Sequence, residues 1–295
     1  MDICLHERLL ACGPLPVEEG TPPEFGVMLQ PRRPGMHVGE VPVAWLKQLA
    51  GLHQLVLLRG FSSFADGEAM TRYCEGFGPL LYWPFGAVLE LREEAAPEDH
   101  IFASHYVPLH WDGMYLQQVP EFQVFQCASA PAQGEGGRTT FAHTPLALRL
   151  ADEASRALWA GTQGHYQRSA AHYSSVARAP LIERHPRRHY PVLRVCEPPV
   201  DGDPAFINPS EYRFEGLGGD ERGRLLGSLR QALYDPRAFY AHRWQSGDLL
   251  IADNFTLLHG REAFASGCAR HLRRVHVHAE PPLANPHLAQ GGLTP

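Results

Sequence analysis

The sequence predicts a mainly β protein with peripheral helices (α+β), built on a double-stranded β-helix (jelly-roll) core. Two observations carry that expectation. Strand patterns stand at both ends of the second half of the chain with helical patterns inserted between them, which suits a sheet core with helices packed outside. At 295 residues, with 44% hydrophobic and 20% charged residues, the chain also has the size and balance of a single β domain spanning 1–295.

Taken in order, the first 35 to 40 residues are rich in Pro and Gly (GPLPVEEGTPPEFG, PRRPG) and predict an irregular N-terminal arm over about 1–40. PVAWLKQLAGLHQ, 42–54, predicts a helix on which Val43, Leu46, Leu49 and Leu52 share a face. LVLLRGF, 55–61, predicts a buried strand closed by Gly60, and Ser63 and Asp66 stand in capping-box-like spacing ahead of a helix through EAMTRYCEGFG. FQVFQC, 122–127, and RTTFAHT, 138–144, predict strands separated by the loop ASAPAQGEGG. Thr144 as N-cap with Pro145 in the first turn predicts one helix through LALRLADEASRALWAG. DERGRLLGSLRQALY, 220–234, predicts another, with Leu225, Leu226, Leu229 and Leu233 on one side. FYAHRW, DLLIADN and RHLRRVHVHAE predict the returning strands.

A net charge of −6 argues against general nucleic-acid binding, which needs clustered Lys and Arg. Only ERHPRRHYPVLR, 183–194, is locally basic; it reads first as a solvated loop and strand edge, with a lid or a substrate-carboxylate site as the alternative. Six cysteines (Cys4, Cys12, Cys74, Cys127, Cys196, Cys268) without a C-x-x-C read as ordinary thiols of a reducing cytosol. The start, MDICLHERLLACG, is a poor signal peptide, and no apolar run approaches the ~18 residues of a membrane span. A cytoplasmic protein with neither membrane nor nucleic acid as partner is expected.

LHWDGMY, 109–115, sets His110 and Asp112 two residues apart. On a strand or its end, side chains at i and i+2 point to the same side, so this imidazole and carboxylate can meet at one point. Of 17 histidines, His259 is the third candidate, because it follows the apolar DLLIADNFTLL and Gly260 leaves backbone room beside it. Two imidazoles and one carboxylate make the facial triad of non-haem Fe(II), with positions left for a cosubstrate and oxygen. An H-x-D alone is a common coincidence, and the downstream arginines strengthen it. In RHLRRVHVH, 270–278, Arg270, Leu272, Arg274 and His276 share a strand parity, and two arginines aimed into an interior require anions. Carboxylates of a cosubstrate and of a substrate would meet the two guanidinium forks. Tyr106, Trp111 and Tyr115 are candidates both for an aryl pocket and for core packing. Tyr106, of the same parity as His110, is the one expected on the substrate, ahead of His105 with its opposite parity.

His110-Trp111-Asp112, GGRTTF with Thr139, DNFTLLHGR with His259, and Arg270 eleven residues beyond His259 together resemble the TauD/TfdA-like family of Fe(II)/2-oxoglutarate oxygenases, from LVLLRGF through RVHVH. The resemblance implies His110, Asp112 and His259 as iron ligands, and Thr139 with Arg270 as the clamp on the distal carboxylate of 2-oxoglutarate. It also implies O2 as the second cosubstrate and Arg274 on a substrate anion. Asp112 speaks against the halogenase variants, which lack this carboxylate. Longer stretches, among them RPGMHVGE, WPFGAVLEL, YVPLHWDGMY, QRSAAHYSS and INPSEY, are similar to the PvcB-type isonitrile oxygenases of paerucumarin and rhabduscin biosynthesis. That implies a small-molecule substrate, L-tyrosine isonitrile, supplied by a partner isonitrile synthase and desaturated across Cα–Cβ to an isonitrile cinnamate-type product. Oxidative decarboxylation to the vinyl isonitrile and hydroxylation of another small anionic substrate stay open beside it, as does homo-oligomer formation. A zinc hydrolase would use a similar donor set, but no H-E-x-x-H is present. A non-catalytic binding protein would not need an intact triad.

Overall fold

The computed structural model describes residues 9–200, 203 and 206–289. The strands are β1 (Leu10–Gly13), β2 (Val27–Pro31), β3 (Leu55–Leu58), β4 (Val88–Arg92), β5 (Val107–His110), β6 (Gln118–Ser129), β7 (Thr139–His143), β8 (Gln163–Ala170), β9 (Tyr173–Pro180), β10 (Ile182–Arg184), β11 (Pro191–Leu193), β12 (Glu211–Phe214), β13 (Phe239–His242), β14 (Leu249–Asp253), β15 (Leu257–Arg261) and β16 (His271–Ala284). The α-helices are α1 (Val43–His53), α2 (Gly67–Cys74), α3 (Thr144–Leu150), α4 (Glu153–Ala160) and α5 (Gly219–Leu233). A seven-stranded sheet, ordered β1-β2-β3-β14-β6-β16-β4, faces a four-stranded sheet, ordered β13-β7-β15-β5. This is the expected jelly-roll sandwich; β12-β8-β9 and β10-β11 form small additional sheets. Among the described residues no helix is long and apolar enough to cross a membrane.

The central strand β3 is apolar at every position because each face of the large sheet serves a different core. In β3, Leu55 and Leu57 join Phe125, Leu250 and Leu272 against Phe141, Tyr240 and Leu257 of the small sheet. Val56 and Leu58 instead join Val124, Ile251 and Val275 under α1 and α2, which contribute Leu46, Leu49 and Met70. Each such Leu, fully withdrawn from water, is worth roughly 1.5–3 kcal/mol. The outer face of the small sheet, with Leu109, Ala142 and Leu258, packs on α3, α4 and α5 through Ala147, Trp159, Leu225 and Leu229. In β16 this alternation puts Leu272 inside and Val275 and Val277 outside, so Arg274 and His276 face the interior as their parity requires.

Four local expectations are corrected. The N-terminal segment is not irregular throughout: β1 and β2 pair antiparallel and β2 runs parallel to β3, extending the large sheet. Residues 1–8, including Cys4, lie outside the described residues. Leu52 is 72% exposed, because a three-residue spacing drifts around an α-helix: at about 100° per residue, position 52 lies half a turn from position 43. The N-cap of α2 is Asp66, which accepts from Ala69 N at 2.8 Å, whereas Ser63 Oγ accepts from Gln126. Finally, the single helix expected after Thr144 is two. His143 caps α3 while Thr144 Oγ1 donates to Thr256 O, and Asp152 stops the run by capping α4 through Ser155 N at 2.7 Å.

Candidate active site

Antiparallel pairing of β5 with β15 sets His110 directly opposite His259, with ring centroids 4.2 Å apart. Gly260 makes the approach possible: a Cβ there would lie 2.6 Å from Val107 O and 2.9 Å from Thr140 Oγ1. β5 ends at His110, so Asp112 comes from the turn that follows and is placed by a clamp. Asn254, 1% exposed, accepts from Asp112 N at 3.0 Å and donates to the carbonyls of Asp112 (2.9 Å) and Pro120 (2.8 Å). No motif in the sequence assigns Asn254 a role. Its signal was an amide in the tight DNF turn between two apolar strands.

The donor set suits a divalent metal. His110 Nδ1 lies 2.9 Å from Pro108 O, and since a carbonyl only accepts, Nδ1 carries the proton and Nε2 keeps its lone pair. His110 Nε2 stands 3.7 Å from Asp112 Oδ1, and His259 Nε2 stands 3.6 Å from Asp112 Oδ2. One ligand atom from each of the three residues lies within 4.8 Å of the others. Burial, and then the neighbouring His110, hold the His259 pKa well below the usual imidazole value. Burial alone would raise the Asp112 pKa, but Arg274, His276 and His259 outweigh it and hold the carboxyl well below its usual range. A neutral imidazole at His259 and an ionised carboxylate at Asp112 are the forms that ligate.

Behind the carboxylate stand three further groups. Asp112 Oδ2 receives Gln123 Nε2 at 2.5 Å, His276 Nε2 at 2.7 Å and Arg274 Nη1 at 2.9 Å. Gln123 Nε2 also lies 3.3 and 3.4 Å from the two ring nitrogens of His259. These contacts orient the ligand set.

Arg270 is 4% exposed and has no carboxylate partner among the described residues. Its Nε donates to Gly137 O at 3.0 Å and its guanidinium lies 5.4 Å from the Phe264 ring centre, while Arg261 sits 5.0 Å from the same ring. Burial lowers the Arg270 pKa to about 10, so it stays charged at neutral pH. A buried cation without a counterion is a cradle for an anion. Gly137, at φ +77°, lets the chain pass close by, since a Cβ would meet Arg270 Cδ at 2.8 Å. Two residues on, Thr139 Oγ1 accepts from Trp244 Nε1 at 2.9 Å, which leaves the hydroxyl proton free to donate elsewhere. No sequence pattern points to Trp244.

A cavity of about 190 Å³ opens beside the triad, lined by His110, Asp112, Arg274 and His276 at one end and walled by Trp83, Phe85, Trp111, Tyr115 and Tyr173. Trp111 and Tyr115 serve both readings, because they line this cavity and also belong to the hydrophobic cluster beneath it. Tyr106 is a correction. It does not line the cavity, its hydroxyl accepts from Val200 N at 2.8 Å, and its ring packs on Phe206. The basic stretch is surface, as first read: Arg187 pairs with Glu121 and Arg188 donates to Gly51 O. Arg194 is the exception, buried 5.0 Å over the Trp111 ring.

The family model "Taurine catabolism dioxygenase TauD, TfdA family" matches residues 21–276, a span that contains every residue of this site. The chain is 62% identical over 288 residues to the tyrosine isonitrile desaturase of Pseudomonas aeruginosa, covering 98% of this chain and 99% of that protein. It is 54% identical over 281 residues to the tyrosine isonitrile desaturase of Erwinia amylovora, covering 95% and 96%. The solved structure of PvcB, described as "an Fe, alpha-ketoglutarate dependent oxygenase from an isonitrile synthetic pathway", matches with a TM-score of 0.83 at 57% identity, over 95% of this chain and 96% of that one. The chain therefore belongs to the TauD/TfdA family and is an oxygenase that works with Fe(II), 2-oxoglutarate and O2.

Proposed function

We propose that this chain desaturates the Cα–Cβ bond of L-tyrosine isonitrile, supplied by an isonitrile synthase, to an isonitrile cinnamate-type product that keeps its carboxylate. The observation that carries this reading is the cavity: an aromatic-walled chamber that opens on the His110, Asp112 and His259 cluster and holds Arg274 beside it. The two desaturases to which the chain is similar support the choice of substrate.

In this reading His110, Asp112 and His259 hold Fe(II), and Arg270 with the Thr139 hydroxyl holds the distal carboxylate of 2-oxoglutarate. Bound iron, with 2-oxoglutarate and O2, supplies the oxidant; the balance is substrate, 2-oxoglutarate and O2 giving alkene, succinate, CO2 and water. The chain supplies position. Arg274 faces the cavity beside the triad and would take the substrate carboxylate, which places the adjacent Cα and Cβ at the triad end of the cavity. The aromatic wall holds the aryl ring and keeps water from the reacting carbons.

The test incubates purified protein with Fe(II), 2-oxoglutarate and tyrosine isonitrile under air and reads products by mass spectrometry. The expected product has lost two hydrogens and kept its carboxyl, with one succinate per alkene. A product that has also lost CO2 would assign the oxidative decarboxylation, and one that has gained oxygen would assign hydroxylation.

A further inference from the structure

The stretch QRSAAHYSS, 167–175, brings Arg168 from β8 and Tyr173 from β9 into the wall of the same cavity. Arg168 Nη2 donates to Asp99 Oδ2 at 2.5 Å, an oxygen that also takes Asn208 Nδ2 at 3.2 Å. Arg168 Nε is buried and has no hydrogen-bond partner. The buried Tyr115 hydroxyl has only the Ser210 side chain near it, outside good hydrogen-bond geometry, and its ring is fixed by stacking on Tyr173, with centroids 5.6 Å apart and planes at 12°. Arg168 and Tyr115 both line the cavity, and their polar atoms lie just behind its wall: Arg168 Nε carries a desolvation penalty that a ligand oxygen reaching it would relieve, and the Tyr115 hydroxyl keeps hydrogen-bonding capacity beyond Ser210.

The ligand's own chemistry decides which of its groups goes there. The carboxylate of an α-isonitrile acid sits on Cα, one of the two carbons that lose hydrogen, so it must lie at the triad end, where Arg274 is. A tyrosine-derived substrate carries its remaining polar group on the far side of a rigid ring. A phenol hydroxyl accepts from an arginine N–H and exchanges a second hydrogen bond with another hydroxyl, which matches Arg168 Nε and Tyr115 Oη. Arg168 is the other arginine lining the cavity.

We propose that Arg168 and Tyr115 form the subsite for the para-hydroxyl of the substrate and are its determinants of preference for a tyrosine-derived over a phenylalanine-derived isonitrile. This rests on the function proposed above. A site built to hydrogen-bond a hydroxyl rejects the analogue that lacks it, because its own polar groups then stay unpaired.

The experiment measures, by calorimetry under nitrogen, the affinity of protein loaded with Fe(II) and 2-oxoglutarate for tyrosine isonitrile and for its phenylalanine counterpart. Turnover of both is followed in air. Tyr115→Phe removes a hydroxyl whose one protein neighbour is the Ser210 side chain, and it is expected to weaken the tyrosine compound about tenfold while leaving the phenylalanine compound within about twofold. Arg168→Met is expected to do the same more strongly, and its unchanged affinity for the phenylalanine compound doubles as the check that it folds. Equal losses on both compounds, or an unchanged tyrosine affinity in Tyr115→Phe, overturn the subsite. If the unsubstituted protein turns over neither isonitrile, the substrate reading itself fails, an outcome distinct from either variant result.

Discussion

Asp112 and Asp248 are both withdrawn from water in the sandwich, and both meet an arginine and a histidine. Asp248 has both carboxylate oxygens bonded by the protein. Arg59 grips both oxygens at 2.9 and 2.6 Å, and His242 Nε2 (3.1 Å) and Gln245 N (2.9 Å) complete the set and close the turn between β13 and β14. His242 is tied in turn to the Tyr240 hydroxyl at 3.0 Å. At Asp112 the three protein donors crowd onto Oδ2, while Oδ1 faces the free Nε2 of His110 at 3.7 Å, beyond hydrogen-bond reach. One cluster is a closed lock between strands; the other keeps an acceptor and two imidazole lone pairs beside a cavity. Residue types do not separate them. What separates them is the donor capacity left over after the protein has taken its share.

The largest effects test that distinction directly. His110→Ala, Asp112→Ala and His259→Ala are each expected to abolish iron binding and turnover with the secondary structure retained, read as bound iron per chain and circular dichroism. Asp248→Asn should do the reverse. It leaves Arg59 without its carboxylate in a sealed setting, at a cost of about 3 kcal/mol, yet folded protein should bind iron normally. A triad variant that keeps its iron, or an Asp248→Asn protein that loses it while folded, would show the two clusters to be wrongly distinguished.

Acid should find the sealed histidines. Burial, and then Arg168, pull His100 down to about 3; burial pulls His143 down to about 4 and lowers His242 as well. The unfolded chain protonates these rings near 6.5, so below that pH it binds protons the folded state refuses. The stability they contribute is complete above about pH 6.5 and is lost as pH falls toward the lowered folded values. Asp248, its carboxyl held down by Arg59 and His242 against the raising effect of burial, adds a further loss below the usual carboxylate range. Urea midpoints from pH 7.5 to 4.5 should fall steadily, and a flat profile would contradict rings that are neutral when folded.

The two interior arginines of the C-terminal strand region sharpen the comparison at a smaller scale. Arg270 has no counterion and Arg274 shares one with the triad. Arg270→Lys replaces a planar fork with a point charge and should raise the KM for 2-oxoglutarate at least tenfold, an interaction worth ~1.5–3 kcal/mol, with little effect on the organic substrate. Arg274→Met should instead raise the KM for tyrosine isonitrile and yield succinate in excess of alkene, leaving 2-oxoglutarate binding near normal. Steady-state kinetics with each cosubstrate varied in turn separates the two, and interchanged effects would exchange the assignments.

What was legible in the sequence was local. The strands LVLLRGF and DLLIADN show as short apolar runs, and the inward parity of Arg274 and His276 in RHLRRVHVHAE follows from a period of two that a short segment carries by itself. His110 and Asp112 are neighbours in the chain, and His259 was reached through the apolar strand before it. Parity failed at Tyr106 because β5 begins at Val107, so the alternation does not extend back that far. Asn254, which sits 142 residues from the Asp112 it clamps, and Arg168, 69 residues from its partner Asp99, are products of the fold and left no local pattern to read.

The smallest expected effect repeats the lesson on a helix. A three-residue spacing places Leu49 and Leu52 on one face of α1, but Leu49 is 9% exposed in the core under the large sheet and Leu52 is 72% exposed. Leu52→Gln removes a side chain that already lies mostly in water, so its effect on stability should stay within about 0.5 kcal/mol. Leu49→Ala, which opens a cavity between α1 and the sheet, should cost ~2–5 kcal/mol. Denaturant melts of the two variants measure the difference. A Leu52→Gln loss comparable to that of Leu49→Ala would mean that Leu52 is covered in solution by something other than its own helix, and the drift of a three-residue spacing around α1 would no longer account for its exposure.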